Sequence, residues 1–424
     1  SVAVGEPAGW GPGDAAGRLR RAARVCAGTF GFLNHAETLP ALDWRRRYVS
    51  HLWSYNLHYF DYALDLAWAF RETGDARYAR RFEELAGGWM AGAAPGEGDG
   101  WEPYPVSLRL VNWTYALLLF GGGLDAAFRG ELARSIRVQA AYLARRLELH
   151  ILGNHLQANF KALAVAGSIF ADPAGRGWMG AGVRGLLAQL REQVHADGGH
   201  FERSPMYHAI VLLDYLESAS LMEAAGTPAP GWAVERIGAM VDAFGVLSRP
   251  GGPIHLFNDA AEGVAPPWER LDAMSRHVLG RPLAARSGVM TLPATGYYAF
   301  ADPESGDRIV VDCGEPQPRY QPGHSHCGLL GFELDLRGQP VVVDSGVNGY
   351  EGDPFREYVR STRAHSTVMI GGLEQSEVWG SFRMARRARV RSWARCQGTA
   401  RRPSYQTLCT PRCDSGIPPR GFER

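Results

Sequence analysis

Lysine is almost absent from this chain of 424 residues, because Lys161 is its only lysine and arginine is the main basic residue. The chain is also rich in alanine and glycine, and we attribute both biases to GC-rich coding rather than to function. Acidic and basic side chains nearly balance, with a formal net charge of +1. This balance provides no bulk attraction to nucleic acid or to an anionic membrane, so an acidic ligand must be recognised locally.

Long apolar runs and paired cysteines are also missing. No stretch reaches the roughly 20 apolar residues of a membrane helix, so we predict no membrane insertion. The six cysteines have neither zinc-ribbon spacing nor the density of a disulfide scaffold, and they leave the cellular compartment undecided. No signal-peptide pattern is present, so export is neither shown nor excluded, and the oligomeric state is left open.

The spacing of apolar residues changes along the chain. From about residue 44 to 279 it is helical, and after about residue 287 short segments alternate, as in the predicted hairpin "GFELDLRGQPVVVDSG". We therefore predict an α+β protein with a helical domain at 1–285 and an antiparallel β domain at 286–398. Residues 399–424 follow neither period and are predicted to be an irregular tail, which leaves the β domain truncated.

Two stretches of the helical half concentrate polar residues at predicted helix starts. In "GNHLQANFKAL", Gly153 precedes Asn154 and His155, and the alternative to a functional role is a capping asparagine with a surface histidine. In "RSPMYH", Ser204 and Pro205 indicate a helix start that puts Tyr207 in the first turn. There the helix dipole mildly favours tyrosinate and suits proton transfer, although tyrosines more often simply pack at helix ends.

The β half contains the segment "GHSHCG". In an extended backbone His324 and His326 point to the same side, while Asp344 and His365 lie at predicted strand edges. Two histidines and one carboxylate are a plausible zinc set, with water or another group as the fourth ligand. The alternative is that these histidines are solvated residues at strand ends.

Several separated motifs together resemble the heparinase II/III-like family of polysaccharide lyases. They include "LWSYNLHYFDY", "GNHLQANFKAL", "DGGHFERSPMYH", "PGHSHCGLLGFEL" and "QSEVWGSF", in order over roughly residues 52–390. The resemblance implies an incomplete (α/α) toroid followed by an antiparallel β-sandwich, with the active site in the cleft between them. It also implies an acidic polysaccharide substrate and a periplasmic or secreted protein, although a cytoplasmic location is not excluded.

The resemblance also implies roles for individual residues. Asn154 and His155 would meet the substrate carboxylate, Tyr207 would be the acid and perhaps the base, and His324 would be a second proton-transfer or charge-neutralising group. The structural Zn²⁺ ligands would be His326, Asp344 and His365.

Substrate contacts are predicted within aromatic, polar runs of the helical half, where side chains suit sugar stacking and carboxylate pairing. The candidates are Asn56, His58, Tyr59, Arg109, Asn112 and Trp113. The alternative is that the aromatic residues belong to the core and the arginine is solvated.

The predicted reaction is β-elimination of a uronic-acid-containing glycan, giving an unsaturated uronate end. One rival is a glycoside hydrolase, which needs two carboxylates, for which Asp197, Glu202 and Asp259 are available. A second rival is a glycan-binding or inactive truncated homologue. Heparan-type chains, alginate-like chains and a bacterial exopolysaccharide are all open as substrates.

Overall fold

The computed structural model describes residues 15–390, which form parts of two compact units. The first unit runs to Gln193 and adds Val211–Gly238 and Pro267–Leu283, while the second takes the intervening segments and the chain from Ala284 onward. The chain passes from the first unit to the second for the last time between Leu283 and Ala284, next to the predicted boundary at 285/286. Before that point, however, segments of the two units alternate along the chain. Apolar period identifies an element, not the core on which it packs. The predicted tail lies outside the described residues.

The first unit is helical. Its full-length helices are α1 (Ala15–Cys26), α2 (His51–Tyr59), α3 (Tyr62–Thr73), α4 (Ala76–Gly92), α5 (Pro103–Phe120), α6 (Ala126–Leu143), α7 (Gly153–Ser168) and α8 (Pro173–Gln193). It also contains most of α9 (Pro205–Ala224), part of α10 (Gly231–Leu247), α11 (Trp268–Leu279), short 3-10 helices at Asp99–Trp101 and Gly121–Gly123, and a hairpin of β1 (Thr29–Phe32) and β2 (His35–Thr38). None of the helices in the described range is long and apolar enough to cross a membrane.

Close packing of α7 against α8 fixes the helix that carries Asn154 and His155. A Cβ atom at Gly182 would lie 2.5 Å from the carbonyl oxygen of Phe160, and one at Gly167 would lie 2.5 Å from the amide nitrogen of Met179. Neither distance is possible for a real side chain, so the backbones approach this closely because both positions are glycine. The close packing of α7 on α8 therefore also fixes the position of the first turn of α7.

The second unit is built on an antiparallel sheet whose strands follow chain order. The strands are β3 (Gly288–Leu292), β4 (Tyr297–Ala301), β5 (Arg308–Asp312), β6 (Gly331–Leu336) and β7 (Gln339–Val342), followed by α12 (Pro354–Arg360), a 3-10 helix at Thr362–Ala364, and a hairpin of β8 (Glu377–Gly380) and β9 (Arg383–Ala385). The β6–β7 hairpin confirms the predicted one. The described chain at 365–372 has an isolated bridge at Ile370 instead of a strand.

One face of the sheet packs on the end of α10, where Ala243 and Leu247 form one buried apolar cluster with Met290 and Val310. Glu333 lies opposite Val310 on the same face and is buried. A carboxylate tolerates this position only when it is paired.

The pairing partners of Glu333 are His255 and Arg249. Its Oε2 atom lies 2.6 Å from His255 Nδ1 and accepts from Arg249 Nη2 at 2.9 Å. The apolar residues that alternate with Glu333 in β6 belong to the other face, where Val289 and Phe300 are 76% and 46% exposed. The second layer of the expected sandwich would cover this face.

Side chains on the buried face of the sheet should contribute more to the free energy of unfolding than those on the exposed face. Met290→Ala is expected to lower the free energy of unfolding by about 2–5 kcal/mol, because it leaves a cavity against α10. Val289→Ala, one residue away on the exposed face, is expected to change it by less than about 0.5 kcal/mol. Urea unfolding of the two variants beside the wild type measures the difference, and equal losses would contradict the assignment of the faces.

Candidate active site

Helix α9 begins at Pro205, as predicted from the sequence, and its first turn contains Tyr207. The Ser204 hydroxyl oxygen accepts a hydrogen bond from the Tyr207 backbone N–H at 3.3 Å, and the hydroxyl donates to the carbonyl oxygen of Asp259 at 2.6 Å. A serine here satisfies an N–H group that a helix start leaves without an intrahelical partner. The position of Tyr207 therefore depends on Ser204 and on the loop that contains Asp259.

Tyr207 contacts two other side chains of the second unit. Its hydroxyl lies 2.9 Å from the hydroxyl of Tyr350, and its ring centroid lies 4.3 Å from that of His324. Phe382 stacks on Tyr350 at 5.9 Å and meets the His324 ring edge-on at 6.3 Å. His324 keeps 13% of its side chain exposed. A tyrosine and a histidine in contact, with partial access to solvent, can transfer protons to and from a bound molecule.

The acidity of Tyr207 differs from the expectation based on the helix dipole. Burial, together with the neighbouring Tyr350 hydroxyl and the carboxylates of Asp259 and Glu202, raises the pKa of Tyr207 well above its ordinary value. Burial disfavours the charged form, and a dipole effect of about 1 kcal/mol or less at an exposed helix end does not offset it. At neutral pH Tyr207 is therefore a phenol that can donate a proton.

Asp259 connects the two histidines of "GHSHCG". Its Oδ2 atom lies 2.8 Å from His324 Nδ1, and its Oδ1 atom lies 2.7 Å from His326 Nε2. Arg356 donates to both oxygens of the same carboxylate. Burial opposes ionisation, but the hydrogen bonds from the histidines and Arg356 hold the pKa of Asp259 well below its usual range. The other ring nitrogen of His324, Nε2, lies 4.0 Å from a carboxylate oxygen of Glu202.

Two residues in left-handed backbone conformations support this arrangement. Asn258 has a φ of 59°, and its side-chain oxygen accepts from the His326 backbone N–H at 3.1 Å. Arg203 also has a φ of 59°, and its buried guanidinium donates to the carbonyl oxygens of Thr295 at 2.7 Å and Gly314 at 2.8 Å. A non-glycine residue holds this conformation when surrounding contacts compensate for the strain.

The three predicted zinc ligands lie close together in the second unit. The rings of His326 and His365 are 5.3 Å apart, and Asp344 Oδ2 lies 2.8 Å from His365 Nδ1. Within the part of the chain that the structure describes, His326 Nδ1 and His365 Nε2 are buried without a hydrogen-bond partner. Two such nitrogens are the ligand type that zinc prefers, so the residues fit the ion. The Asp344 carboxylate contacts His365 and can orient it, and its predicted role as a third ligand stays a prediction.

A second candidate cation cluster lies in the first unit, where atoms of His51, Asp99 and Glu102 lie within 4.8 Å of one another. Arg47 donates to both oxygens of Asp99, at 2.7 and 2.9 Å, and the Tyr55 hydroxyl donates to Glu102. The cluster is also solvated, since Glu102 is 51% exposed. Both oxygens of Asp99 and one oxygen of Glu102 already accept hydrogen bonds, so we assign no metal to this cluster.

Asn154 and His155 lie in the first turn of α7, as predicted. Leu152 is the residue that caps the helix, so Asn154 is not the cap, and it is buried. His155 Nδ1 lies 3.0 Å from Glu148 Oε1, and its ring stacks on Tyr104 at 4.2 Å. His155 is therefore held by two neighbours while 31% of its side chain stays exposed.

The six predicted substrate contacts lie in the first unit. All except Asn56 are buried: His58, Tyr59, Arg109, Asn112 and Trp113 are 7% exposed or less. Arg109 donates to Gln139 at 2.8 Å and lies 3.8 Å from the centre of the Trp89 ring. Asn56 is half-buried and donates its amide to the Leu52 carbonyl oxygen at 2.8 Å. The aromatic rings of Tyr59 and Trp113 thus lie in the helical core, and Arg109 is buried there rather than solvated. Contact of these residues with a substrate stays a prediction.

Sequence reasoning missed Tyr350 and Arg356, and it considered Asp259 only as a candidate hydrolase carboxylate. Arg356 lies in α12, whose start is signalled by Asp353 and Pro354. Its ion pair with Asp259, however, spans 97 positions of the chain. No local pattern reports a contact at that separation, so only the fold shows it.

Solved heparinase structures share this fold. Heparan sulfate lyase HepC from Pedobacter heparinus matches with a TM-score of 0.59 at 22% identity, over 91% of this chain and 64% of that one. A heparinase III structure matches with a TM-score of 0.69 at 20% identity, over 84% of this chain and 60% of that one. The fold is thus an α+β fold of the heparinase type, in which a helical region precedes antiparallel sheets, as predicted.

Sequence models of a protein family also match this chain. The models described as "Heparinase II/III N-terminus" and "Heparinase II/III-like, C-terminal" match residues 29–268 and 284–404. The chain therefore belongs to the heparinase II/III family, as its motifs indicate.

Curated relatives are distant. The heparin-sulfate lyase of Pedobacter heparinus is 23% identical over 80% of this chain and 55% of its own length, and that of Bacteroides stercoris is 23% identical over 79% and 57%. The FtsZ-localized protein C of Caulobacter vibrioides is 24% identical over 62% and 42%. This chain therefore spans about half the length of the curated relatives it matches.

The cap at the start of α9 gives a testable prediction. Ser204→Ala is expected to lower the free energy of unfolding by about 0.5–2 kcal/mol, because the Tyr207 N–H loses its partner. Ser218→Ala is the matched control, since Ser218 is buried in the middle of the same helix and donates to the Asp214 carbonyl oxygen at 2.6 Å. Alanine is the better helix former there, so we expect a change below about 0.5 kcal/mol. Thermal unfolding of both variants measures this, and equal destabilisation would refute the capping role.

Proposed function

We propose that the protein is a polysaccharide lyase that cleaves a uronic-acid-containing glycan by β-elimination and leaves an unsaturated uronate at the new end. The observation that carries the proposal is the contact between Tyr207 and His324, with their ring centroids 4.3 Å apart. Membership of the heparinase II/III family supports it. The names of two matched relatives, both heparin-sulfate lyases, favour a heparan-type chain over an alginate-like one or a bacterial exopolysaccharide.

The chemical difficulty is the weakly acidic proton at C5 of the uronate. The carbanion formed by its removal is stabilised when positioned donors neutralise the adjacent carboxylate. In the proposal Asn154 and His155 supply these donors. The contact of His155 with Glu148 at 3.0 Å supports this role, because it fixes the orientation of the imidazole. The assignment follows the family motif and stays a prediction.

Two proton transfers complete the reaction. His324 Nε2 accepts the C5 proton, the electrons of the C–H bond form the double bond between C4 and C5, and the bond from C4 to the glycosidic oxygen breaks. The Tyr207 hydroxyl protonates the departing oxygen, and a proton passed from His324 then restores Tyr207. The raised pKa of Tyr207 suits an acid that keeps its proton until the leaving group needs it. Tyr350 steadies the Tyr207 hydroxyl through their 2.9 Å contact.

Zinc belongs to the proposal as a structural ion. His326 and His365 would bind it through the two nitrogens that have no hydrogen-bond partner within the described residues, with Asp344 beside them. When bound, the ion would supply a fixed cross-link between the two histidine-bearing loops. His324 lies two positions from His326, so the cross-link would limit movement of the proposed base.

The arrangement of the candidate carboxylates suits a glycoside hydrolase less well than a lyase. Hydrolysis needs two carboxyl groups that flank the scissile bond. Asp259 is fully buried and bound by donors, and Asp197 accepts from the backbone N–H groups of Ala294 at 2.7 Å and Thr295 at 2.9 Å. That leaves Glu202, 4.0 Å from His324 Nε2, as a single candidate where hydrolysis needs two.

Glycan binding without catalysis is the second candidate. One observation favours it: a matched relative is named FtsZ-localized protein C, a name that describes where that protein is found and not a cleavage reaction. A binding protein would retain affinity for a uronate glycan and show no turnover, so measurements of binding and of cleavage separate the two candidates.

A lyase assay tests the proposal. The purified protein is incubated with heparan-type, alginate and bacterial uronate polysaccharides, and the ultraviolet absorbance of the conjugated product is followed. Tyr207→Phe and His324→Gln are each expected to lower kcat by about 10²–10⁴-fold, the usual contribution of a general acid or base. Both variants should still bind the glycan.

Two variants control this assay. Tyr358→Phe changes a tyrosine of the second unit that is 51% exposed, and His277→Gln changes an exposed histidine of the first unit, so wild-type kcat is expected for both. Failure of folded wild-type protein to cleave any of the glycans would favour the binding candidate. Unchanged kcat in Tyr207→Phe would rule out the proposed acid.

Metal content tests the zinc assignment. Protein dialysed after zinc loading should hold about one ion per chain, and His365→Ala should lose it. His51→Ala alters the solvated cluster of His51, Asp99 and Glu102 and is expected to keep the wild-type content. Elemental analysis gives both values. Zinc loss in His51→Ala with retention in His365→Ala would reverse the assignment.

A further inference from the structure

The carboxylate of Asp259 has no exposed surface and is bound on both oxygens. Its Oδ1 atom lies 2.7 Å from His326 Nε2, its Oδ2 atom lies 2.8 Å from His324 Nδ1, and Arg356 donates to each oxygen. A guanidinium paired with both oxygens of a carboxylate is a strong, geometrically fixed contact. Asp259 therefore faces each histidine as an ionised acceptor.

An ionised carboxylate accepts hydrogen bonds and donates none, so each histidine must direct an N–H group toward it. Neutral His324 then carries its proton on Nδ1 and its lone pair on Nε2, the nitrogen that lies 4.0 Å from Glu202. Neutral His326 carries its proton on Nε2 and its lone pair on Nδ1. In the described structure, that Nδ1 atom is buried and has no hydrogen-bond partner.

We propose that Asp259 is a positioning residue that fixes opposite tautomers in His324 and His326, so that one carboxylate prepares both the basic nitrogen and the metal-binding nitrogen. The inference rests on the proposed function for the roles of these nitrogens, but the tautomers themselves follow from the hydrogen bonds. Arg356 completes the arrangement, because its positive charge keeps Asp259 ionised. Asp259 therefore does not take the proton of either histidine.

The backbone of Asp259 reinforces this role. Its N–H donates to the His324 carbonyl oxygen at 3.1 Å, and its own carbonyl oxygen accepts from the Ser204 hydroxyl at 2.6 Å. The residue that orients the proposed base thus also contacts the cap of the helix that begins at Pro205. A purely structural role would explain these backbone contacts, but it would not require a particular tautomer in either histidine.

The tautomers are measurable in the wild-type protein without any glycan. Ring-nitrogen NMR of isotope-labelled histidine, on metal-free protein at about pH 8 and so above the ordinary imidazole pKa, distinguishes the two neutral forms. His324→Gln and His326→Gln assign the signals. We expect the proton on Nδ1 in His324 and on Nε2 in His326. The reverse tautomer in either residue would overturn the proposal.

Asp259→Asn provides the functional test. The amide has one acceptor oxygen where the carboxylate has two, and its NH₂ group faces a histidine or Arg356 with a donor. We expect the tautomer of His324 or His326 to change, kcat to fall about 10–100-fold with little change in KM, and zinc affinity to fall by a similar factor. The proposal would be contradicted if this variant kept the wild-type tautomers of both histidines and the wild-type kcat.

Asp312→Asn is the matched control. Asp312 is also a buried carboxylate paired with an arginine, Arg203, in the same unit, and it contacts neither histidine. Its variant is expected to keep the wild-type tautomers, whatever stability it loses. If the wild type cleaves no glycan, the lyase proposal fails while the tautomers still test Asp259, so the two failures are distinguishable. The wild-type spectrum also decides the matter if Asp259→Asn does not fold.

Discussion

A carboxylate removed from water must be surrounded by donors, and the candidate site depends on how this constraint is met at Asp259. Desolvation of such a group costs several kcal/mol, and deleting a partner leaves a buried charge without compensation. His324, His326 and Arg356 meet the requirement together. The loop that carries both the proposed base and a proposed metal ligand is consequently held at one point with the start of α12. The chemistry proposed for Tyr207 and His324 depends on that rigidity.

The abundance of arginine gains a structural meaning in this context. Arginine presents a planar set of donors that pairs with both oxygens of a carboxylate, whereas lysine is a compact point charge. In the second unit Arg356 pairs with Asp259, Arg203 with Asp312, and Arg249 with Asp335 at 2.9 Å. The compositional bias therefore fits a unit held by arginine–carboxylate pairs, of which Arg356–Asp259 and Arg249–Asp335 are bidentate, even though we attribute its origin to coding bias.

Local signals carried much of the prediction from sequence. Ser204 with Pro205 marked the helix of Tyr207, and alternation marked the β6–β7 hairpin, because both depend on neighbouring residues. Alternation did not show which face of β6 is buried: Glu333 faces the core because His255 and Arg249, about 80 positions away, pair with it. For the same reason the sequence did not show that Arg109 is buried, where it donates to Gln139 at 2.8 Å. Contacts between distant segments decide these cases.

The central claim is that the bond between C4 of the uronate and the glycosidic oxygen breaks by elimination, without addition of water. The most direct measurement is mass spectrometry of products formed in water enriched in heavy oxygen. In products analysed before the reducing-end hydroxyl exchanges with water, elimination predicts unsaturated chains whose new ends carry no heavy oxygen, because the departing oxygen gains only a proton. Saturated products with a heavy oxygen atom at the new reducing end would show hydrolysis and contradict the account.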